Sequence, residues 1–152
     1  MSVQIVRVEG ALPEGFPALR AQAEAEGVRN MSALAAQWVE TENPFRDPGA
    51  LFAAFAEGEL VGLGGVTPQP GLDRPAMRMR RLYVAPSARR LGVGRMLAAA
   101  MMQQGLQAAD LLVSNAQATA AAPPFWEAMG FAQAPEGMGF SHWMGDGIAK
   151  LS

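Results

Sequence analysis

The chain contains no cysteine, one histidine, one tyrosine and one lysine. Without cysteine there are no disulfides, no thiolate metal ligands and no cysteine nucleophile. A single histidine excludes a multi-histidine metal centre, and no metal cofactor is expected. No apolar run approaches the roughly 18 residues that span a bilayer. The N-terminus, MSVQIVRVEG, lacks the basic start and apolar block of a secretory signal. These absences point to a soluble, cytoplasmic protein with no membrane partner. What is present supports a packed domain. Half of the 152 residues are hydrophobic and 17% are charged, which argues against disorder. That length suits a single domain over residues 1–152, burying roughly 70% of its unfolded surface.

The net charge of −2 conceals an uneven distribution. Residues 1–70 carry nine acids and four arginines, net −5, and residues 71–110 carry two acids and seven arginines, net +5. Eleven of the twelve basic residues are arginine, whose fork matches phosphate and carboxylate. An anionic partner and a merely solvated basic face are both compatible with this block. Nucleic acid is disfavoured as that partner. The pI is about 5.4, Tyr83 is the only aromatic among the arginines, and no recognition motif is present.

Along the chain, β-branched Val3–Val8 reads as a strand, and Glu14–Glu26 reads as a helix ended by Gly27. Met31–Thr41 reads as a second helix with Ser32 as its cap. Leu51–Ala56, the Glu57-Gly58-Glu59 turn and Leu60–Thr67 form a hairpin. Ala76–Val84 is the fourth strand. The next helix starts after Gly92-Val93-Gly94, with Val93, Leu97, Ala100 and Met101 on its buried side. Asp110–Ser114 is the fifth strand, and Pro124–Met129 a short helix closed by Gly130. Strands beginning at Phe131 and spanning Phe140–Met144 complete the chain. Short links make strands two to four antiparallel, whereas the strand-helix-strand unit from Ala76 to Ser114 favours a parallel pair. The fold class is therefore α/β (α+β), a mixed sheet of about seven strands flanked by about four helices.

The segment with most chemical content is Arg80-Arg81-Leu82-Tyr83-Val84-Ala85-Pro86-Ser87-Ala88-Arg89-Arg90-Leu91-Gly92-Val93-Gly94-Arg95. A strand delivers the chain to a two-glycine turn, and a helix follows at once. Helix N-termini leave backbone N–H groups unpaired, and glycine lets an anion approach them. Arg89, Arg90 and Arg95 add full charges, so a diphosphate suits the site. Two glycines can also mark only a tight turn. The phosphate loop of nucleotide triphosphatases is excluded, because no lysine-serine/threonine pair follows, and Leu97 replaces the third glycine of a dinucleotide fingerprint.

Arg89-Arg90-Leu91-Gly92-Val93-Gly94 resembles the Arg/Gln-x-x-Gly-x-Gly/Ala coenzyme-A loop of the GNAT superfamily of N-acetyltransferases. Phe125-Trp126-Glu127-Ala128-Met129-Gly130-Phe131 is similar to that family's Phe-Tyr-Glu-x-x-Gly-Phe segment. The element order agrees over nearly the whole chain. The resemblance implies acetyl transfer from acetyl-CoA to a primary amine by direct attack, with both substrates bound. Leu82, Tyr83 and Val84 would line the pantetheine arm, and the N–H groups of Leu91, Gly92, Val93, Gly94 and Arg95 would take the pyrophosphate. The Val84 N–H would hold the thioester oxygen, and Asn115 would lie near the coenzyme arm. Dimers are common in the family, and Trp38 or Trp143 are candidates for a homodimer interface.

Two departures from the family pattern matter. Trp126 stands where a tyrosine protonates the leaving thiolate, and an indole is no proton source. It reads instead as core or as packing on the coenzyme arm. Arg78 stands near the place of a catalytic glutamate. His142 has the intrinsic pKa of a base but also reads as structural on a terminal strand. Glu40 and Glu42 are weaker base candidates. Alternation places Arg78 and Arg80 on one face of the fourth strand and Arg81 on the other. That face suits an anionic acceptor or, equally, ion pairs with the acidic N-terminal region. The missing acid and base leave open a CoA-binding regulatory domain or pseudo-enzyme.

Overall fold

The computed structural model describes residues 2–117 and 119–145. The outermost residues of the expected 1–152 domain lie outside this range. The strands are β1 (Val3–Arg7), β2 (Ala50–Ala56), β3 (Glu59–Pro68), β4 (Ala76–Val84), β5 (Leu111–Ser114), β6 (Ala132–Gln133) and β7 (His142–Gly145). The α-helices are α1 (Phe16–Ala25), α2 (Asn30–Trp38), α3 (Val93–Ala108) and α4 (Ala122–Ala128), with a 3-10 turn over Pro86–Leu91 before α3. The seven strands form one sheet in the order β1-β2-β3-β4-β5-β7-β6. Only β4 and β5 pair in parallel; the other five pairs are antiparallel. The crossover through α3 supplies that parallel pair, as expected from sequence.

Each face of the sheet buries its own apolar set. Val93, Leu97, Ala98 and Met101 of α3 lie over Val66, Met77, Met79 and Leu112, and Trp126 and Phe131 join them. Ala98, rather than Ala100, completes the buried side of α3. Across the sheet, Phe16, Leu19 and Ala23 of α1 and Met31 and Leu34 of α2 pack on Leu51, Leu63, Tyr83 and Phe45. Gly64 and Gly65 of β3 permit this close packing. A Cβ on Gly64 would come within 2.7 Å of Met101 Sδ, and one on Gly65 within 2.7 Å of the Phe45 ring. Leu97 is fully buried. Cutting it to alanine would cost about 2–5 kcal/mol through lost transfer energy and a cavity.

The second helix begins differently from the sequence expectation. Arg29 occupies the N-cap and makes no side-chain cap bond. Ser32 lies inside the helix, and its hydroxyl donates to Glu24 Oε1 at 3.1 Å. Among the described residues no helix is long and apolar enough to cross a membrane.

Candidate active site

The site is built where β4 and β5 part. Their pairing runs from Ala76–Leu111 to Met79–Ser114 and stops there. β4 continues through Val84, paired to β3 alone. The two parallel strands therefore open into a V whose β4 wall is Arg80–Val84.

A bulge lies in that wall. Gly65 opposes Arg80 but Leu63 opposes Tyr83, so Arg81 and Leu82 share the position opposite Gly64. Arg81 takes φ +59°, left-handed backbone that a non-glycine residue adopts at a cost of about 1–3 kcal/mol. The extra residue resets the alternation. Met77 and Met79 pack toward α3, and so do Leu82 and Val84. Arg81 is displaced toward α2, where its Nε donates to Gln37 Oε1 at 2.9 Å. The expected alternation is thereby corrected. Gly65, opposite Arg80, faces Phe45, so Arg80 and Arg78 share the α2 face, and the bulge brings Arg81 to the same side.

Backbone alternation also orients Val84. The Ala85 N–H donates to Val61 O at 2.7 Å. In an antiparallel ladder, residues flanking such a bonded position point their amides away from the partner strand. The Val84 N–H is thus turned to the V. The Val84 carbonyl, on the same side, accepts from Arg89 Nε at 3.1 Å, and the Leu82 carbonyl accepts from Asn30 Nδ2 at 2.9 Å.

Beyond Val84, the 3-10 turn leads to Gly92, at φ +76°, which stands at the N-terminus of α3 without a side-chain cap. The first helical bond runs from the Met96 N–H to the Gly92 carbonyl, so the amides of Val93, Gly94 and Arg95 precede the ladder. A Cβ on Gly92 would meet nothing within 4 Å, whereas one on Gly94 would lie 3.4 Å from the Phe125 ring. Gly92 is thus open to solvent, and Gly94 sets the approach of α3 to α4. Leu91, Arg90 and Arg95 are exposed around this turn.

Arg89 is engaged differently from its neighbours. Its guanidinium grips Glu26, with Nη1 to Oε2 at 2.8 Å, and lies 5.6 Å from the centre of the Tyr83 ring. The Tyr83 hydroxyl donates to Glu26 Oε1. Arg89, and after it the Tyr83 hydroxyl, hold the Glu26 carboxyl below its ordinary range. Burial, reinforced by Glu26, pushes the Tyr83 phenol up to about 12. Glu26 is the residue that sequence reading misses. Its one sequence signal is a carboxylate at a helix C-terminus, where the dipole disfavours it unless a cation compensates.

The sequence offers His142 as a base; the structure commits both of its ring nitrogens. The ring is buried, with Nδ1 2.9 Å from Ser141 Oγ and Nε2 2.8 Å from Glu127 Oε2. It ties β7 to α4. Trp126 is buried between Phe125 and Phe131, with ring centres 5.0 and 5.1 Å away in edge-on contacts. Of its two readings, core packing is the one the geometry displays. Asn115 is exposed directly after β5. Glu40 and Glu42 are exposed. Trp143 is buried against Phe140, which removes it as an interface candidate, and half-buried Trp38 donates to Gly10 O at 2.8 Å.

The model of the Acetyltransferase (GNAT) family matches residues 18–131, from α1 through Phe131. No curated protein matches the sequence. Among solved structures, a candidate acetyltransferase of Exiguobacterium sp. 255-15 is 27% identical, with TM-score 0.85 over 100% of this chain and 99% of that one. A GNAT-family acetyltransferase of Staphylococcus aureus Mu50 is 15% identical, with TM-score 0.68 over 93% and 96%. An aminoglycoside N-acetyltransferase, AAC(6')-Iy, solved with CoA, is 19% identical, with TM-score 0.65 over 90% and 97%.

Proposed function

The chain belongs to the Acetyltransferase (GNAT) family, and from that premise we propose that it transfers the acetyl group of acetyl-CoA to a primary amine. The observation that carries this reading is the open V of β4 and β5, with the Val84 N–H turned into it and the uncapped α3 N-terminus beside it.

The residues fit the coenzyme. The amides of Val93, Gly94 and Arg95, behind open Gly92, suit a pyrophosphate, since helix N-termini concentrate donors and partial positive charge. Arg90 and Arg95 add exposed charges nearby. Leu82, Tyr83 and Val84 line the arm, with Asn115 at the opposite wall of the V. Arg89 acts through the protein: it fixes the turn against Glu26 and the Val84 carbonyl. Trp126 packs in the core between Phe125 and Phe131.

In the transfer step, the amine nitrogen bonds to the thioester carbon. The carbonyl oxygen gains charge, which the Val84 N–H stabilises as a fixed donor; removing a donor of this kind typically costs roughly 10²–10³ in rate. The C–S bond then breaks, CoA leaves as thiolate, and the amine proton passes to water. No side-chain acid is required, because a thiolate is a good leaving group at neutral pH. His142, held by Ser141 and Glu127, orders the β7–α4 contact. The buried Trp126 in place of a proton donor favours, as a second reading, a domain that binds CoA without robust transfer.

One pair of measurements tests both readings. Acetyl-CoA should raise the melting temperature by mass action, and thiol release should depend on an added amine. No shift at millimolar acetyl-CoA defeats both readings, and a shift without amine-dependent thiol release leaves only the second.

A further inference from the structure

The α2 face of β4 holds three arginines. Arg78, Arg80 and Arg81 are each half-buried, and none pairs with an acid among the described residues. Arg80 has no hydrogen-bond partner among those residues, and Arg81 reaches only the neutral Gln37. Burial first, then the neighbouring Arg81 and Arg78, lowers Arg80 to about 10. Crowding of like charge is expensive and is seldom kept without a partner.

A second observation marks the same place. Among the described residues, three buried side-chain polar atoms lack a hydrogen-bond partner: Asn30 Oδ1, Thr67 Oγ1 and Arg78 Nε. Thr67 is 1% exposed and stands cross-strand from Arg78, so the two side chains share a face. Asn30 is fastened by its Nδ2 to Leu82 O on the wall of the V. It lines a cleft of about 340 Å³ with Gly27, Val28, Arg29, Ala33 and Arg81. Buried polar groups are nearly always satisfied; Thr67 and Arg78 face each other on adjacent strands, and Asn30 and Arg81 border the cleft on the same side of the sheet.

The arrangement is ordered along β4. Arg78 and Arg80 lie around Met79, the last residue of β4 paired to β5, and Val84 lies four residues beyond Arg80. At about 3.3 Å per residue, and with one residue taken up by the bulge, Arg80 and Arg81 stand roughly 10 Å and Arg78 roughly 15–20 Å along the strand from the Val84 amide. Arginine side chains reach out from the strand, so an acceptor bound beside β4 would meet cations at one end and the thioester at the other.

We propose that the amine acceptor is an anionic molecule, bearing a carboxylate or phosphate group held by Arg78, Arg80 and Arg81 with the Thr67 hydroxyl. Guanidinium forks suit both groups, and the shared chemistry is the negative charge. Asn30 Oδ1, an acceptor without a donor, suits an N–H of the incoming amine. This inference rests on the acetyl-transfer reading and adds the class of acceptor to it.

The test uses acceptors in matched pairs with acetyl-CoA: an amino acid against its carboxamide, and phosphoethanolamine against ethanolamine, with spermidine as a cationic reference. Within at least one pair, the anionic member should show a kcat/KM about ten- to hundredfold higher, expressed mainly in KM. The pair that discriminates tells carboxylate from phosphate. Arg80→Gln should reduce that preference to within about threefold while the melting shift caused by CoA persists. Equal use of both members, or preference for spermidine, overturns the proposal.

A binding measurement covers the case in which no tested amine reacts. With saturating CoA present to fill the pyrophosphate site, citrate or inorganic phosphate should raise the melting temperature saturably. Arg80→Gln and Arg78→Gln should each abolish that shift. Its absence in the parent, or its survival in both variants, overturns the proposal. Without ligands, Arg80→Gln should melt no lower than the parent, because it relieves repulsion. A fall of several degrees would show that the arginines hold the fold instead. If CoA itself gives no shift, the coenzyme reading fails, and the anion titration still reads the arginine site independently.

Discussion

Arg80 and Arg89 flank Val84 at nearly equal distance along the chain, yet their surroundings are opposite. Arg89 is exposed but fully engaged: Glu26 takes its fork, Tyr83 lies under its plane, and the Val84 carbonyl accepts its Nε. Glu26 raises its pKa. Arg80 is more buried but has no partner among the described residues, and burial lowers its pKa to about 10. An arginine whose charge is answered inside the protein fixes geometry. One whose charge is unanswered stores an interaction for something that arrives. On the proposed reading, the coenzyme side of the V is preorganised by backbone amides and internal ion pairing, and the acceptor side by arginines that pair with no carboxylate among the described residues.

The largest effect should come from disturbing the backbone half of that contrast. Gly92→Glu places a charged side chain in left-handed backbone beside the free amides of α3. Coenzyme affinity should fall at least a hundredfold, read as loss of the acetyl-CoA melting shift, while the variant should still fold at a backbone cost of about 1–3 kcal/mol, since a Cβ there meets nothing within 4 Å. Gly94→Glu is a less clean probe, since a Cβ there already contacts the Phe125 ring at 3.4 Å. Normal binding by Gly92→Glu would place the pyrophosphate elsewhere. Next in size is the ten- to hundredfold selectivity that Arg80→Gln should remove, which tests the uncompensated half.

Glu26→Gln sharpens the comparison by making Arg89 resemble Arg80. It removes the carboxylate from Arg89 and Tyr83, so the variant should melt a few degrees lower at pH 7. The pH dependence has a defined sign. Glu26 has a lowered folded pKa, so its contribution is present above the ordinary value near 4.5 and is lost as pH falls through the lower folded value. Tyr83 has a raised pKa, so its contribution is complete below about 10 and is lost between about 10 and 12. The gap in melting temperature between parent and variant should therefore close on acidification. A gap that is constant down to pH 3 would show that the ion pair carries no linked stability.

Most of the fold was legible because it is written in short-range pattern. Alternation and turn residues mark the β2–β3 hairpin, and β4 runs from Ala76 to Val84, the expected bounds. The glycine turn and helix start at 92–94 were equally plain. What was not legible depends on one inserted residue or on distant partners. The bulge at Arg81 leaves no composition signal, yet it moves a guanidinium across the sheet and turns a mixed pair of faces into one cationic face. Glu26 meets Arg89 across 63 residues of sequence, and His142 meets Glu127 through a turn of α4 against β7. Single-sequence periodicity carries neither kind of information.

Trp126→Phe supplies the smallest expected effect and a control for the two walls, since Trp126 belongs to neither. An essential general acid contributes roughly 10²–10⁴-fold, and an indole cannot supply that proton. The substitution removes one N–H and part of a ring while keeping a six-membered aromatic between Phe125 and Phe131. Edge-on contacts of this kind are worth about 0.5–1.5 kcal/mol beyond burial, so the main cost should fall on stability. Turnover should stay within about tenfold of the parent, and the acetyl-CoA melting shift should be unchanged. Trp126→Ala should instead cost about 3–5 kcal/mol of folding energy, because the cavity would open in the main core. A thousandfold loss of turnover in Trp126→Phe, with binding and stability intact, would assign the indole a chemical task and shift the weight of the mechanism from β4 to α4.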